Sequence, residues 1–129
     1  MKLLVDTHAV LWAQRSSARL SPAARAVLAD LSNEILLSAV VPWELSIKEH
    51  AGKLPEAAPL LAGWPAVVQA LAATQLPVSD DHAILAGRLA WAHKDPFDRM
   101  LAAQALTTGA TLVSVDTVFD TLPSVTRLW

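Results

Sequence analysis

Lys2-Leu3-Leu4-Val5-Asp6 opens the chain, Thr111-Leu112-Val113-Ser114-Val115-Asp116 stands near its end, and both are short apolar runs that stop on an acid. Such a run fits a strand buried on both faces, whose last residue emerges at the edge of a sheet. Glu34-Ile35-Leu36-Leu37-Ser38 reads as a further buried strand. Helical patterns lie between these runs. Thr7 to Gln14 follows the first strand directly. Ser21-Pro22 offers an N-cap and a first-turn proline, with Ala23, Val27, Leu28 and Leu31 recurring behind them at helical spacing. Pro42 suits the first turn of a helix running through Lys48, with Gly52 as its stop. Ser79 or Asp80 can cap a helix carrying Ile84, Leu85 and Leu89. Asp95-Pro96 repeats the cap-then-proline pattern ahead of Phe97 to Thr107, which Gly109 ends. The Pro-rich passage from Pro55 to Pro65 reads as a connection, Val67 to Ala73 as helix, Gln75 to Val78 as a short strand and Val125 to Leu128 as a last strand.

Apolar strands alternating with helices predict an α/β fold, a three-layer α/β/α sandwich around a mostly parallel sheet, with residues 1–129 forming one domain. The 129 residues can enclose one substantial core, and 53% hydrophobic against 17% charged residues excludes a disordered chain. With no cysteine there is neither a disulfide framework nor a thiolate zinc site. Asp6 and His8 break the apolar start too early for a secretory core, and the longest apolar stretch, Ile35 to Ile47, is too short for a bilayer span. A soluble, cytoplasmic protein without membrane contact is expected. Ten Lys and Arg against twelve Asp and Glu give a net charge of −2, so any nucleic-acid contact must come from a local basic patch.

Acids at strand ends carry the chemistry, because open α/β sheets collect ligands outside the carboxyl ends of their strands. Asp6 and Asp116 stand there, although each also fits a turn or cap. Glu44 lies in the otherwise apolar Val40-Val41-Pro42-Trp43-Glu44-Leu45-Ser46-Ile47, where an unpaired carboxylate is costly; its alternative is a surface Glu favoured by a helix N-terminus. Asp98 falls in the first turn after Pro96, where plain charge compensation is the alternative and Asp95 is the better cap. Converging acids repel one another unless protons or cations intervene, and oxygen ligands without thiolates select Mg2+ or Mn2+. The chemistry implied is metal-assisted phosphodiester hydrolysis. No Gly-rich phosphate loop or G-x-S-x-G elbow occurs, and the phosphatase-like start Asp6-Thr7-His8 lacks its second acid.

Four segments together resemble a known family: Leu3-Leu4-Val5-Asp6-Thr7-His8, Leu37-Ser38-Ala39 with Trp43-Glu44-Leu45-Ser46-Ile47-Lys48, His93-Lys94-Asp95-Pro96-Phe97-Asp98-Arg99-Met100-Leu101-Ala102-Ala103-Gln104, and Leu112-Val113-Ser114-Val115-Asp116. In this order they are similar to the PIN-domain toxins of the VapC type, over Lys2 to Trp129. The resemblance implies a PIN fold and an Mg2+- or Mn2+-dependent endoribonuclease acting on tRNA or another structured RNA. It also implies a VapB-like cognate antitoxin in a bacterial type II toxin-antitoxin pair, with a homodimer and a toxin-antitoxin hetero-oligomer. Asp6, Glu44, Asp98 and Asp116 match the family's acidic site, and Thr7 and Ser114 match supporting hydroxyls that orient carboxylates. Pro42 and Ser114-Val115 depart from the usual pattern without removing an acid. Asp95 and Asp120 are further acids that could assist.

Lys48, one turn after Glu44, and Arg99, next to Asp98, are candidate phosphate contacts; an ion pair or helix-face charge is the alternative for each. His8 could touch RNA, cap or pack. Trp12 and Trp91 read first as core. The rival to a nuclease is a catalytically inactive PIN-like module that binds RNA or protein, and a small phosphatase is the third reading.

Overall fold

The computed structural model describes every residue from Met1 to Trp129. Five strands form one sheet: β1 (Lys2–Val5), β2 (Glu34–Ser38), β3 (Thr74–Leu76), β4 (Thr111–Val113) and β5 (Arg127–Leu128), in the order β3-β2-β1-β4-β5 with every pair parallel. Seven α-helices accompany them: α1 (Thr7–Gln14), α2 (Pro22–Ala29), α3 (Val40–His50), α4 (Ala58–Ala62), α5 (Trp64–Ala70), α6 (Asp80–Arg88) and α7 (Pro96–Thr108).

The three central strands, β1, β2 and β4, are buried on both faces, and their residues alternate between two cores as a period of two requires. Leu3, Val5, Ile35, Leu37 and Val113 point to one side, against Ala9 and Val10 of α1, Ala24 of α2, Val41 and Leu45 of α3 and Val67 of α5. Leu4, Leu36 and Leu112 point to the other, against Leu101, Ala102 and Ala105 of α7 and against Phe119. The expected three-layer α/β/α sandwich follows from that division. No helix is long and apolar enough to cross a membrane.

Local chemistry sets the helix ends. The Ser21 hydroxyl accepts the Ala24 N–H at 3.0 Å, and Ser79 accepts the His82 N–H at 3.2 Å while the His82 ring accepts the Ser79 N–H in return. Asp95 caps α7 by accepting the N–H groups of Phe97 and Asp98, and Gly109, at φ +68°, closes it in the left-handed conformation.

The expected connection from Pro55 to Pro65 is instead helical. Pro55 starts a 3-10 turn over Pro55–Ala57, Pro59 sits in the first turn of α4, and Pro65 follows the first residue of α5. A proline whose missing N–H would have had no partner breaks nothing at a helix start. The helix expected over Val67 to Ala73 therefore begins earlier, at Trp64, and ends before Ala72, which is left-handed at φ +48°. The strand expected from Gln75 to Val78 is Thr74–Leu76, since Pro77 cannot donate to a ladder. Pairing of β4 stops at Val113, so Asp116 does not close the strand directly; it caps a 3-10 turn over Thr117–Thr121.

Leu112 is fully buried between the sheet and the α7 layer. Leu112→Ala is expected to lower unfolding free energy by roughly 2–5 kcal/mol in urea denaturation, with an unchanged m-value.

Candidate active site

β1 leads outward through β2 to β3, and the chain then returns to lay β4 on the opposite side of β1. The order reverses at the β1–β4 pair, so the helices that follow these strands diverge and leave a crevice at their carboxyl ends. A cavity of about 270 Å³ opens there, lined by Asp6, His8, Glu44, Lys48, Asp95, Asp98, Val115 and Asp116. All four acids singled out from the sequence are among them.

Two buried hydroxyls hold this set together. Asp6 extends the ladder by donating its N–H to the Val113 carbonyl at 3.0 Å, and its side chain accepts the Thr7 N–H at 2.6 Å. The Thr7 hydroxyl donates to Glu44 Oε1 at 2.7 Å, which ties α1 to α3. The Ser114 hydroxyl donates to Asp6 Oδ2 at 2.5 Å and accepts the Asp116 N–H at 3.1 Å, which ties β1 to the segment after β4. Thr7 and Ser114 are almost wholly inaccessible to solvent.

The electrostatics are those of crowded acids. Burial pushes the Asp6 carboxyl up; the Ser114 and Thr7 hydrogen bonds pull it back, and the charge of Glu44 adds to the rise. Burial also pushes Asp98 up, to about 6, against a hydrogen bond from His93 and with the charges of Asp95 and Asp6 adding to the rise. Lys48 supplies a cation, donating to Glu44 Oε2 at 2.6 Å. Burial pulls Lys48 down, but the Glu44 bond and the charges of Glu44, Asp95 and Asp6 outweigh it, so its net shift is upward.

Asp98 Oδ1 and Asp116 Oδ2 accept no hydrogen bond from the protein, which leaves oxygen ligands facing the cavity. The donor set is carboxylate-rich and lacks thiolates, so it fits a hard divalent cation. The metal-capable atoms that come within 4.8 Å of one another are a different selection: one each of His93, Asp95 and Asp98.

Not every candidate faces the cavity. Arg99, expected as a phosphate contact, is turned inward. Its Nε donates to the Ala86 carbonyl, Nη1 to those of Trp91 and His93, and Nη2 to that of Leu89, all at 2.8–2.9 Å. These carbonyls belong to the end of α6 and the loop after it, which have no ladder of their own. The guanidinium fork supplies that ladder, and four of its five N–H groups are consumed. Lys48 is engaged by Glu44, the ion-pair alternative. His8 lies in the cavity with its ring 5.4 Å from that of Trp12. Asp120 points elsewhere, gripped by Arg127 at 2.9 and 2.8 Å, whereas Asp95 lines the cavity.

Sequence reasoning gave His93 no role. Its Nε2 lies 2.6 Å from Asp98 Oδ2, and its ring packs 4.9 Å from that of Trp91. The available signals were its place five residues before Asp98 and at the head of the segment His93 to Gln104; the loop that brings it back is shaped by Arg99 and not by any local pattern.

A family model for the PIN domain matches residues 3–124. The chain belongs to the PIN domain family. Among solved structures the PIN fold is similar to FitAcB from Neisseria gonorrhoeae, at 18% identity and a TM-score of 0.67, covering 98% of this chain and 96% of that one. It is also similar to VapBC-1 from nontypeable Haemophilus influenzae, at 17% and 0.65, covering 99% and 97%. A third is VapBC2 from Rickettsia felis bound to a DNA fragment from the VapBC2 promoter, at 17% and 0.63, covering 99% and 98%. At these identities the likeness is one of fold. No curated protein is recognisably similar in sequence.

Two outcomes follow from the PIN site's geometry. Arg99→Lys keeps the charge but cannot fork to four carbonyls, and is expected to cost about 2 kcal/mol in thermal or urea unfolding, more than an exposed arginine such as Arg88 would. Folding raises the Asp98 carboxyl from 3.8 to about 6, so the stabilisation tied to its proton is complete below about pH 4 and lost as pH rises through 6. Metal-free Asp98→Asn should therefore melt higher than the parent at pH 7.5, by on the order of 1 kcal/mol after allowance for solvent screening, and the two should converge near pH 4.

Proposed function

We propose that the protein is a metal-dependent endoribonuclease and the toxin of a type II toxin-antitoxin pair, hydrolysing RNA phosphodiester bonds with Mg2+ or Mn2+. The observation that carries this reading is the meeting of Asp6, Glu44, Asp98 and Asp116, from four separated segments, in one cavity at the switch point of a PIN fold. Acids crowded in this way destabilise a protein unless a cation is meant to join them.

Asp6, Glu44, Asp98 and Asp116 would hold the ion. The chemistry a divalent ion would supply there is activation of water and stabilisation of the charge that develops on the phosphate and the leaving oxygen. The chain's own residues fix the ligands. Ser114 and Thr7 orient Asp6 and Glu44 through buried hydroxyls, and His93 fixes one oxygen of Asp98. Lys48 neutralises part of the charge on Glu44. The antitoxin partner is supported by the VapBC and FitAcB neighbours, whose fold this chain shares.

Asp6→Asn and Asp98→Asn are each expected to slow Mg2+- or Mn2+-dependent RNA cleavage by at least about a thousandfold, the scale of several kcal/mol of transition-state stabilisation, while leaving the circular dichroism spectrum intact. Calorimetric titration with Mn2+ should lose a site in Asp116→Asn. Parent-like cleavage by both Asp variants would refute the catalytic reading. Co-expression with the product of the adjacent upstream gene should yield a complex in which cleavage is suppressed.

A further inference from the structure

A nuclease of net charge −2 with an acidic site must hold its polyanionic substrate somewhere, and the cations are few enough to count. Of the ten Lys and Arg residues, Lys48 is spent on Glu44, and Arg127 on Asp120 and the Ser114 carbonyl. Arg99, Arg25 and Lys2 donate to backbone carbonyls. That leaves Arg15, Arg19, Lys53, Arg88 and Lys94 without a partner in the protein. Only Arg15 and Arg19 share a groove.

This groove, about 320 Å³, is walled by Leu11, Trp12, Arg15, Ser17, Arg19 and Glu56. It shares no lining residue with the carboxylate cavity, but both open along α1. His8, Trp12 and Arg15 stand at i, i+4 and i+7 of α1 and its C-cap, so they form one stripe that runs about 10 Å from the cavity. His8 lines the cavity, and its ring lies 5.4 Å from that of Trp12. The Arg19 guanidinium lies over the Trp12 ring at 5.9 Å from the centroid, an arrangement that holds it in place and leaves its N–H edges free to donate. Glu56 is the groove's one acid and pairs with neither arginine within salt-bridge distance. Two exposed arginines against one acid make the groove locally positive.

We propose that the groove bounded by Trp12, Arg15 and Arg19 carries the single-stranded RNA segment that adjoins the scissile phosphate, with the two guanidinium groups on successive phosphates. The proposal rests on the nuclease reading for its register, since the phosphate to be cut lies in the acidic cavity and its neighbours follow α1. Charge complementarity and continuity through His8 favour RNA over the other polyanion such a groove could hold, an acidic peptide.

The test measures fluorescence anisotropy of a labelled single-stranded oligoribonucleotide of about 12 nucleotides, a length within the usual range of single-strand sites. The full chain carries Asp98→Asn so that RNA is bound and not consumed. Adding Arg15→Ala and Arg19→Ala together is expected to weaken binding about tenfold near 0.1 M salt and to reduce the slope of log affinity against log salt by roughly 0.7 per arginine. Arg15→Lys with Arg19→Lys should restore most of the slope, and Arg88→Ala should change nothing. In the otherwise native chain the double alanine variant should raise KM for RNA with kcat and Mn2+ affinity unchanged. Equal affinity and slope for the double alanine variant and its parent would overturn the proposal and leave the groove to an acidic peptide. If RNA binding falls as expected but the native chain cleaves no RNA with either metal, the catalytic reading fails and the groove assignment stands.

Discussion

Crowding of like charge at the carboxyl ends of β1 and β4 is the constraint around which this molecule is arranged. Asp6 is almost wholly buried, Asp98 is partly so, and the charges of Glu44 and Asp95 add to the cost of ionising them. In a medium less polar than water such a group is expensive unless each carboxylate finds donors or a cation. The protein supplies donors sparingly: one hydroxyl each from Thr7 and Ser114, a backbone N–H at Asp6, an ammonium at Glu44 and a ring nitrogen at Asp98. Asp98 and Asp116 each keep one oxygen free. A fully satisfied cluster would leave no carboxylate oxygen without a donor.

The surrounding structure fixes where these groups stand. A parallel sheet buried on both faces lets β1 and β4 end together, and the reversal of strand order between them opens the crevice. Glu44 reaches it because α3 starts immediately after β2, and Asp98 because Asp95 and Pro96 start α7 at the rim. Arg99 illustrates a division of labour between adjacent residues: Asp98 faces the cavity while the next side chain turns inward and ties the loop that delivers His93.

Charge is distributed with the same economy. Half of the ten Lys and Arg residues are tied to carbonyls or acids, so the overall balance says little about where a polyanion could rest. Of the arginines beside Trp12, Arg15 caps the helix that follows Asp6 and Arg19 lies in the turn beyond it, held over the Trp12 ring, so α1 runs from the acidic cavity towards the groove.

The sequence by itself determined most of the elements and their order, though not the short helices of the Pro55–Pro65 passage. Leu3 to Val5, Ile35 to Leu37 and Thr111 to Val113 are continuous apolar runs that only a doubly covered sheet can hide, and Ser21, Ser79, Asp95 and Gly109 mark helix ends through bonds made within a few residues. It also singled out the four acids, because a carboxylate after a buried strand or inside an apolar passage is costly enough to stand out. Tertiary structure alone decided which neighbours those acids have. That Thr7 reaches Glu44 across 37 residues, that Ser114 reaches Asp6 across 108, and that Arg99 turns inward to four carbonyls are outcomes of long-range packing. Local propensity registers bonds within a turn or two of the chain. The partners of a buried polar group are chosen by the fold, which must satisfy each one with whatever side chain it brings near.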